Sequence, residues 1–294
     1  MRAGAALAVF ILLACASCTG KKKPPSGPGP VISLDTRVTG LSGLTRDGKG
    51  ILWAIGESGD SALRIDPTTF VVRQYPVVGC PSKTDLEALA WIGDGRFVVG
   101  TETREAGRAE DALLYGRFEG GQFVVGSTDT CDYGLWLLTA PDNHGIEGLC
   151  HLDGVLVLAT ELTDQQRGRR WAPIAMLDVE TQTWTAHRVG LTSKTGKLAA
   201  LSCRVIDGTL EAMAVERHFG VSRLLRFDIP KDEQGAWIEP RVVADLSKLI
   251  DPLPNFEGLV WDNDGSVVLL TDNEYQGVVR EPSRLYFVPA SAVQ

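Results

Sequence analysis

Acidic residues at matched positions are the side chains of this 294-residue sequence that could carry chemistry. Three copies of one short apolar phrase hold a glutamate at the second position: Glu87, Glu147 and Glu257. A second set of acidic residues ends the apolar runs that follow such phrases, at Glu57, Glu102, Glu161, Glu216 and Asp272. Carboxylates crowded into one place cannot all ionise without a compensating charge. A hard cation with oxygen ligands supplies that charge, so the spacing favours a metal site if these residues meet.

The phrases belong to a repeat of about fifty residues. Clear copies span residues 86–91, 146–151 and 256–261, and weaker copies span 41–44 and 201–204. Each copy is followed by an Asp-Gly pair between apolar runs, which is a strong signal for a β-hairpin. Because two further β-rich runs follow in most copies, the unit has four strands. Such units favour an all-β propeller over a sandwich or a helical array.

The two ends of the chain predict how the propeller closes. The last copy has three strands, and a spare β-rich segment at 31–36 can supply its fourth. Since an open ring would expose sheet edges, we expect the N-terminal strand to complete the last blade. This gives a five-bladed β-propeller over residues 31–294. A six-bladed ring is the alternative, and it needs another blade between Glu87 and Glu147.

A propeller would bring the acidic residues to one mouth of its central channel. The first strand of each blade lines the channel, and its start shares a rim with the end of the antiparallel second strand. Counting back from the Asp-Gly turns places Glu87 opposite Glu102 and Glu257 opposite Asp272, where like charges destabilise a sheet. Calcium accepts six to eight irregular oxygen ligands, whereas zinc prefers nitrogen and sulfur. We therefore predict calcium, with Asp85 and Asn255 flanking this ligand set: Glu87, Glu147, Glu257, Asp272, Glu161 and Asn273.

Basic residues fall in the loops that open on the same rim. Arg104, Arg167 and Arg217 would bind an anionic substrate there, phosphate above all, and their alternative role is to neutralise the acidic rim. Glu102 or His144 is the predicted general base. The acidic residues have a structural alternative as well, in which they bond to neighbouring backbone or to arginine. The sequence contains no Gly-x-Ser-x-Gly elbow, P-loop or His-Glu-x-x-His motif.

The N-terminus has the pattern of an export signal. Arg2 precedes an apolar run at 5–14, which is too short to span a bilayer and suits a secretory signal. Small residues before Cys18 favour lipidation of that cysteine, with Cys15 and an ordinary cleaved signal as alternatives. We expect a lipoprotein signal peptide at 1–17 and a proline-rich tether at 18–30. The folded part would then be lipid-anchored in a bacterial cell envelope, facing the periplasm or the cell exterior.

Charge and cysteine usage narrow the partners. The formal net charge is −8, which argues against non-specific binding of nucleic acid. A small anionic ligand or an envelope protein is the expected partner, with membrane contact through the lipid anchor alone. An exported protein can form disulfides, and Cys80 and Cys131 are candidates to pair, although the sequence leaves the connectivity open.

Residues 255–261, followed by Asp264-Gly265 and by 271–274, resemble the phytase-like propeller family, also called esterase-like activity of phytase. The chain is also similar to the SdiA-regulated propeller family and, more remotely, to calcium-dependent lactonases of the gluconolactonase type. The resemblance implies an exported calcium-binding propeller that hydrolyses phosphate or carboxylic esters. Ser42 and Ser202 depart from the pattern, since they stand where other copies have glutamate. Because propellers host many functions, the alternative is a non-catalytic envelope module that binds a ligand or a protein around a structural cation.

Overall fold

The computed structural model describes residues 29–275, 278–279 and 281–293, and it is almost entirely β-sheet. The predicted signal peptide at 1–17, Cys18 and most of the tether lie outside the described residues. The helices of the described part are 3-10 turns at Tyr133–Trp136, Leu246–Lys248 and Ala290–Ala292. None of them is long and apolar enough to cross a membrane.

The described strands fall into antiparallel sets of four, which we call blades 1 to 5, preceded by β1 (Val31–Ser33). Blade 1 contains β2 (Leu41–Arg46), β3 (Leu52–Gly56), β4 (Ser61–Ile65) and β5 (Val72–Val78). Blade 2 contains β6 (Thr84–Trp91), β7 (Arg96–Thr103), β8 (Glu110–Glu119) and β9 (Gln122–Asp132). Blade 3 contains β10 (Ile146–Leu152), β11 (Val155–Thr160), β13 (Arg169–Asp178) and β14 (Thr183–Gly190), and the short β12 (Asp164–Gln166) pairs with β13.

Blade 4 contains β15 (Lys197–Ile206), β16 (Thr209–His218), β17 (Val221–Asp228) and β19 (Arg241–Asp245), while β18 (Trp237–Ile238) pairs with β14 of blade 3. Blade 5 contains β20 (Asn255–Trp261), β21 (Val267–Asp272) and β24 (Arg284–Val288), and a small hairpin of β22 (Glu274–Tyr275) and β23 (Val278–Val279) lies between the last two. Its fourth strand is β1, which pairs with β24 through Val31 and Tyr286. The predicted closure by the N-terminal strand is therefore present.

The first strands of the blades surround a common axis. Strand β2 lies against β6 and β20, β10 lies against β6 and β15, and β15 lies against β20, so that they form a closed ring. Each contributes one buried leucine to the middle of the channel: Leu44, Leu89, Leu149, Leu201 and Leu259. These leucines separate the two mouths of the channel. The prediction of an all-β propeller is confirmed, and the strand pairing agrees with a count of five blades.

A β-bulge interrupts every first strand near its start, and it changes the predicted register. The ladder between β6 and β7 skips from Leu86 to Ala88, so Asp85, not Glu87, pairs with Glu102. In blade 5, Asn255 rather than Glu257 pairs with Asp272. Both predicted pairings were wrong because a bulge inserts an extra residue, which strict alternation along a strand does not anticipate. The glutamate in each case is the extra residue.

The bulge also corrects the alignment of blade 4. Its ladder skips from Leu198 to Ala200, which places Ala199 where Glu87 and Glu147 stand in other blades. Ser202 lies three residues further on and accepts a hydrogen bond from the Trp261 backbone at 3.0 Å. Ser202 is therefore not the counterpart of the glutamates. Ser42 does lie next to a bulge, and its hydroxyl donates to the backbone oxygen of Glu87 at 2.5 Å.

The disulfide joins two first strands and does not involve the two cysteines that the sequence offered as candidates to pair. Cys150 on β10 is bonded to Cys203 on β15, with 5.8 Å between their Cα atoms. Cys80 and Cys131 are free thiols. The pairing suggested for them was wrong, because Cys131 packs in the buried cluster around Tyr133 while Cys80 packs in a different cluster.

Candidate metal centre

Acidic side chains converge at the mouth where first strands begin and second strands end. They line a small cavity of about 90 Å³, which we call the acidic cavity. Its lining residues are Glu57, Asp85, Glu87, Glu102, Arg104, Asn143, Glu147, Glu161, Arg217 and Glu257. Antiparallel pairing brings these positions together from all five blades, although they span about 200 residues of sequence.

The bulged glutamates of blades 2 and 3 are buried acids of the cavity. The exposed fraction is 7% for Glu87 and 5% for Glu147. Among the described residues, neither carboxylate has a hydrogen-bond or ion-pair partner. Burial raises the pKa of Glu87 well above its usual value, and the negative charge of Glu57 adds to the effect. Burial and the charge of Glu87 raise the pKa of Glu147 in the same way.

Small residues let these strands approach the axis. A Cβ atom on Gly148, the residue after Glu147, would lie 2.6 Å from the Cβ atom of Leu201 on the neighbouring first strand. That distance is shorter than real side chains tolerate, so glycine is required at this close approach. In the Glu-Gly phrase, the glycine allows close packing of neighbouring first strands, and the glutamate places a carboxylate beside the channel.

Two triplets of carboxylates have the spacing of metal ligands. In each triplet, one oxygen per residue lies within 4.8 Å of the others: Asp85, Glu87 and Glu102 in one, and Glu102, Glu147 and Glu161 in the other. Calcium–oxygen distances are about 2.3–2.6 Å, so oxygens on opposite sides of one ion lie about 5 Å apart. Glu102 belongs to both triplets. Burial and the negative charge of Glu161 raise the pKa of Glu102 to about 8.

Basic side chains offset only part of this charge. The Nζ atom of Lys197 lies 2.9 Å from Oε2 of Glu161, and Nε of Arg104 lies 3.1 Å from Oδ2 of Asp85. Arg217 forms a two-pronged ion pair with Glu257. Burial raises the pKa of Glu257 and Arg217 lowers it, with a net value of about 7. Of the three bulged glutamates, Glu257 has a basic partner, whereas Glu87 and Glu147 have none among the described residues.

Arg217 occupies a position where other blades have an acid. Leu198 pairs with Glu216 and Lys197 pairs with Arg217, so Arg217 is the counterpart of Glu102 and Asp272 in the ladder. Glu216, which we expected at the mouth, points to a different loop. Its carboxylate accepts hydrogen bonds from the backbone of Thr192 at 3.2 Å and from the hydroxyl of Ser193 at 2.8 Å. The hydrogen-bonded loop explains why Glu216 does not join the cavity.

Three predicted metal ligands lie beside the triplets rather than in them. Glu257 is held by Arg217 and accepts from Nδ2 of Asn255 at 2.9 Å. Asp272 accepts from the same Asn255 amide at 3.0 Å and from the Glu274 backbone at 2.7 Å. The side chain of Asn273 accepts from the Gly40 backbone at 3.2 Å. Glu87, Glu147 and Glu161 are the predicted ligands that the triplets contain.

The predicted catalytic and substrate-binding residues are divided between sites. Glu102 is central, and Nε2 of His144 lies 3.9 Å from Oε2 of Glu161. Arg104 and Arg217 line the acidic cavity. Arg167 instead lines a separate groove of about 380 Å³ with Arg169, Arg188 and Trp237, which we call the arginine groove.

Sequence reasoning missed two residues of the site, Lys197 and Asn143. Lys197 becomes visible once the bulge fixes the alignment of blade 4, because it precedes Ala199 by two residues as Asp85 precedes Glu87. Asn143 lies in a loop that no strand pattern predicts. Arg108 fixes this loop by donating to the backbone oxygen of Pro141 at 2.9 Å and to that of His144 at 2.5 Å.

Comparison with known proteins agrees with this fold. A sequence model of the family described as "Phytase-like: Esterase-like activity of phytase" matches residues 36–275. No curated protein sequence matches the chain at a significant level.

Solved structures share the fold at low sequence identity. A protein assigned as an oxidoreductase (glucose dehydrogenase) from Thermus thermophilus is 11% identical with a TM-score of 0.51, covering 88% of this chain and 99% of that one. A glucose dehydrogenase is 13% identical with a TM-score of 0.51, covering 89% and 100%. A protein assigned as a gluconolactonase is 12% identical with a TM-score of 0.50, covering 92% and 80%. These likenesses establish the fold and leave the reaction to be argued from the site.

Proposed function

The chain belongs to the phytase-like family, and on that premise we propose that it holds a calcium ion at the acidic cavity and hydrolyses phosphate or carboxylic esters there. The observation that carries the proposal is the position of Glu102, whose carboxylate belongs to both triplets. Beside it, Glu87 and Glu147 are more than nine-tenths buried and have no partner among the described residues. Buried carboxylates without partners are costly, and a cation would remove that cost.

The donor set fits calcium better than other common metals. Both triplets offer carboxylate oxygen alone, with neither histidine nor cysteine, which disfavours zinc. Magnesium demands octahedral geometry at about 2.0–2.1 Å, so its opposite ligands lie only about 4.2 Å apart. Calcium accepts irregular arrangements of oxygen ligands, so it suits carboxylates gathered from separate strands better than magnesium does.

Residues around the cavity can serve hydrolysis. A bound cation supplies a Lewis acid for the ester oxygen and lowers the pKa of a water molecule. Arg104 and Arg217 lie on the rim to bind the negative charge of a substrate, and Arg217 has N–H groups to spare beyond the two that Glu257 accepts. Glu102 or His144 takes the proton of the attacking water. The water oxygen bonds to the ester carbon or phosphorus, the bond to the alcohol oxygen breaks, and the proton passes to that oxygen.

The experiment measures calcium binding and hydrolysis separately. Wild-type protein, Glu102→Gln and a control, Glu119→Gln at an exposed strand end, are titrated with calcium at pH 8 and followed by calorimetry and thermal unfolding. We expect wild type and Glu119→Gln to bind and melt several degrees higher, and Glu102→Gln to lose both effects. Hydrolysis of 4-nitrophenyl phosphate and 4-nitrophenyl acetate should disappear with a chelator. Unchanged melting with calcium would overturn the metal site.

A non-catalytic envelope module is the second candidate. Its support is that no serine, threonine or cysteine is among the described residues lining the acidic cavity, so the site offers no side-chain nucleophile of these types. In that case calcium would stabilise the fold and shape the rim for a ligand or a partner protein. Calcium binding without hydrolysis of either ester would favour this function.

Export and lipid anchoring belong to the same proposal. The apolar segment at 5–14 and Cys18 support a lipoprotein in the bacterial cell envelope. Replacing Cys18 by Ser should move the protein from the membrane fraction to the soluble fraction. Cys15→Ser is the matched control, since the two cysteines are three residues apart. A wild-type protein that is already soluble after export would contradict lipidation.

A further inference from the structure

A larger groove adjoins the acidic cavity and shares Arg217 with it. This side groove has a volume of about 630 Å³, within the range typical of small-molecule sites. It lies between blades 4 and 5 and is lined by Arg217, His218, Phe219, Gly220, Val221, Ser222, Leu253, Pro254, Asn255, Asp272, Asn273, Glu274 and Glu281. Asn255 connects the two spaces, because its amide donates to Glu257 on one side and to Asp272 on the other.

The wall of the side groove offers an exposed aromatic surface. Phe219 is 83% exposed, and its ring lies 4.3 Å from the ring of His218 in an edge-on arrangement. Leu253, Pro254 and Val221 add apolar atoms around it. An exposed phenylalanine at the edge of a concave surface is suited to stack on a flat apolar ligand.

Charges in the side groove allow one negative group and oppose several. Arg217 is the one arginine among the described residues that line it, and two of its guanidinium N–H groups donate to Glu257, which leaves others for a ligand. Burial lowers the pKa of His218, so that its imidazole is neutral near pH 7. Asp272, Glu274 and Glu281 are acidic, and Arg284 forms an ion pair with Glu281 at 2.7 Å. Two other arginines predicted at the rim lie elsewhere, since Arg104 pairs with Asp85 and Arg167 lines the arginine groove.

We infer that the ligand of this site is a phosphate monoester of an apolar, ring-sized alcohol, and not a polyphosphorylated polyol. Its phosphate lies between the acidic cavity and Arg217, and its ring lies on Phe219 in the side groove. A polyol carrying many phosphates would place further negative charge against Asp272 and Glu274, and Arg217 is the one arginine among the described lining residues of the groove. The inference rests on the proposed function, because the phosphate needs calcium to approach the carboxylates.

Binding of analogues that cannot be hydrolysed tests the inference without requiring catalysis. The full-length protein with saturating calcium is titrated by calorimetry with phenylphosphonate, with methylphosphonate and with inositol hexakisphosphate, keeping free calcium constant. We expect phenylphosphonate to bind about ten-fold more tightly than methylphosphonate, since the ring buries apolar area. Inositol hexakisphosphate should not compete with it.

Variants locate the ring. Phe219→Ala should remove most of the ten-fold preference while the calcium-induced rise in melting temperature is kept. Leu137→Ala, at another exposed apolar residue away from the side groove, should change neither. Equal affinity for the two phosphonates, competition by inositol hexakisphosphate, or an unchanged preference in Phe219→Ala would each overturn the inference while the calcium site stands. Failure of wild-type protein to bind calcium would overturn the proposed function and this inference together.

Discussion

The two mouths of the channel are built from the same repeat, but they differ in whether their charged side chains have partners. The opposite mouth is a cavity of about 180 Å³ whose lining includes Trp91, His151, Trp261 and Asp262. There charged groups have partners, since Nε of Arg46 lies 2.9 Å from the carboxylate of Asp262. In the acidic cavity, Glu87 and Glu147 have no partner among the described residues. The shared architecture does not explain that difference, and the unpaired negative charge is the reason for proposing a ligand site at this mouth.

Arginine and tryptophan complete the paired arrangement at the opposite mouth. The guanidinium of Arg204 lies 3.3 Å from the ring centroid of Trp261, and that of Arg226 lies 5.3 Å from it. Both arginines form ion pairs with Glu211. Contacts of this kind stabilise a fold, whereas crowded carboxylates destabilise it until a cation binds. Five leucines separate the mouth with paired charges from the mouth at which we propose cation binding.

The largest effect is expected from the disulfide at the opposite mouth. Cys150 and Cys203 are 53 residues apart, and a cross-link of that length restricts the unfolded chain by about 4 kcal/mol. Replacing both cysteines by Ala should lower the free energy of unfolding by about that amount, as measured by urea denaturation. Cys80→Ala, at a free thiol, is the control. The calcium affinity should not change, and a parallel loss of calcium binding would show that the two mouths are not independent.

Removing one charge from the paired mouth should also destabilise the protein. Glu211→Gln leaves Arg204 and Arg226 without their counter-charge, and breaking a buried pair typically costs about 3 kcal/mol or more. Urea denaturation at pH 7 measures the loss. Glu119→Gln, which breaks an exposed pair with Arg117, should cost less than about 1 kcal/mol. Equal effects of the two substitutions would contradict the structural role assigned to Glu211.

The acidic cavity should make calcium-free protein less stable as the pH rises. Burial with neighbouring acids raises the pKa of Glu57 and Glu102 to about 8 and that of Glu257 to about 7, from 4.5. Between pH 4.5 and 8 the folded state therefore binds more protons than the unfolded state. The contribution of these carboxyl groups to the free energy of unfolding is complete below pH 4.5 and is lost as the pH rises to 8. We expect a fall of about 2 kcal/mol between pH 5 and pH 8 in a chelator, measured by urea denaturation.

Calcium reverses the direction of this dependence because it binds the ionised carboxylates. With saturating calcium, the loss between pH 5 and pH 8 should shrink or change sign, and the stabilisation by calcium should be larger at pH 8. A calcium-free protein that becomes more stable from pH 5 to pH 8 would contradict the unmet charge. The same pH series in Glu211→Gln should keep the slope of wild type, because Glu211 lies at the other mouth.

Sequence patterns predicted the parts of this molecule that depend on local chemistry. Asp153 and Gly154 both have positive φ at the turn that their Asp-Gly signal predicted, and the spare N-terminal segment pairs with β24 as edge protection requires. The glutamates of the repeated phrases do reach one mouth. Their convergence follows from the repeat spacing and from the closure of the ring by the N-terminal strand, and both are visible in the sequence.

The finer geometry was not predictable because it depends on backbone irregularity and on long-range packing. Two-residue alternation has no means to represent the bulge, so Glu87 was paired with Glu102 and the counterpart of Glu87 in blade 4 was misplaced onto Ser202 instead of Ala199. Arg217 therefore went unrecognised as the residue that takes an acid's place in the ladder. Cys150 and Cys203 meet because neighbouring first strands bring them to one mouth, and spacing along the chain does not reveal that.

The smallest effect on stability is expected from Glu102→Gln, and its sign should be opposite to that of Glu211→Gln at the other mouth. Glu102→Gln removes one negative charge from both carboxylate triplets and keeps the shape of the side chain. Since Glu102 has no hydrogen-bond partner among the described residues, its loss should relieve repulsion and stabilise calcium-free protein at pH 8 by about 1 kcal/mol. At pH 5, where wild-type Glu102 is protonated, the gain should vanish. Urea denaturation in a chelator measures both values. Because Glu211→Gln is expected to destabilise the protein, the same Glu-to-Gln change should have opposite effects at the two mouths. Destabilisation by Glu102→Gln at pH 8 would show that the Glu102 carboxylate stabilises the calcium-free fold, and would contradict this prediction.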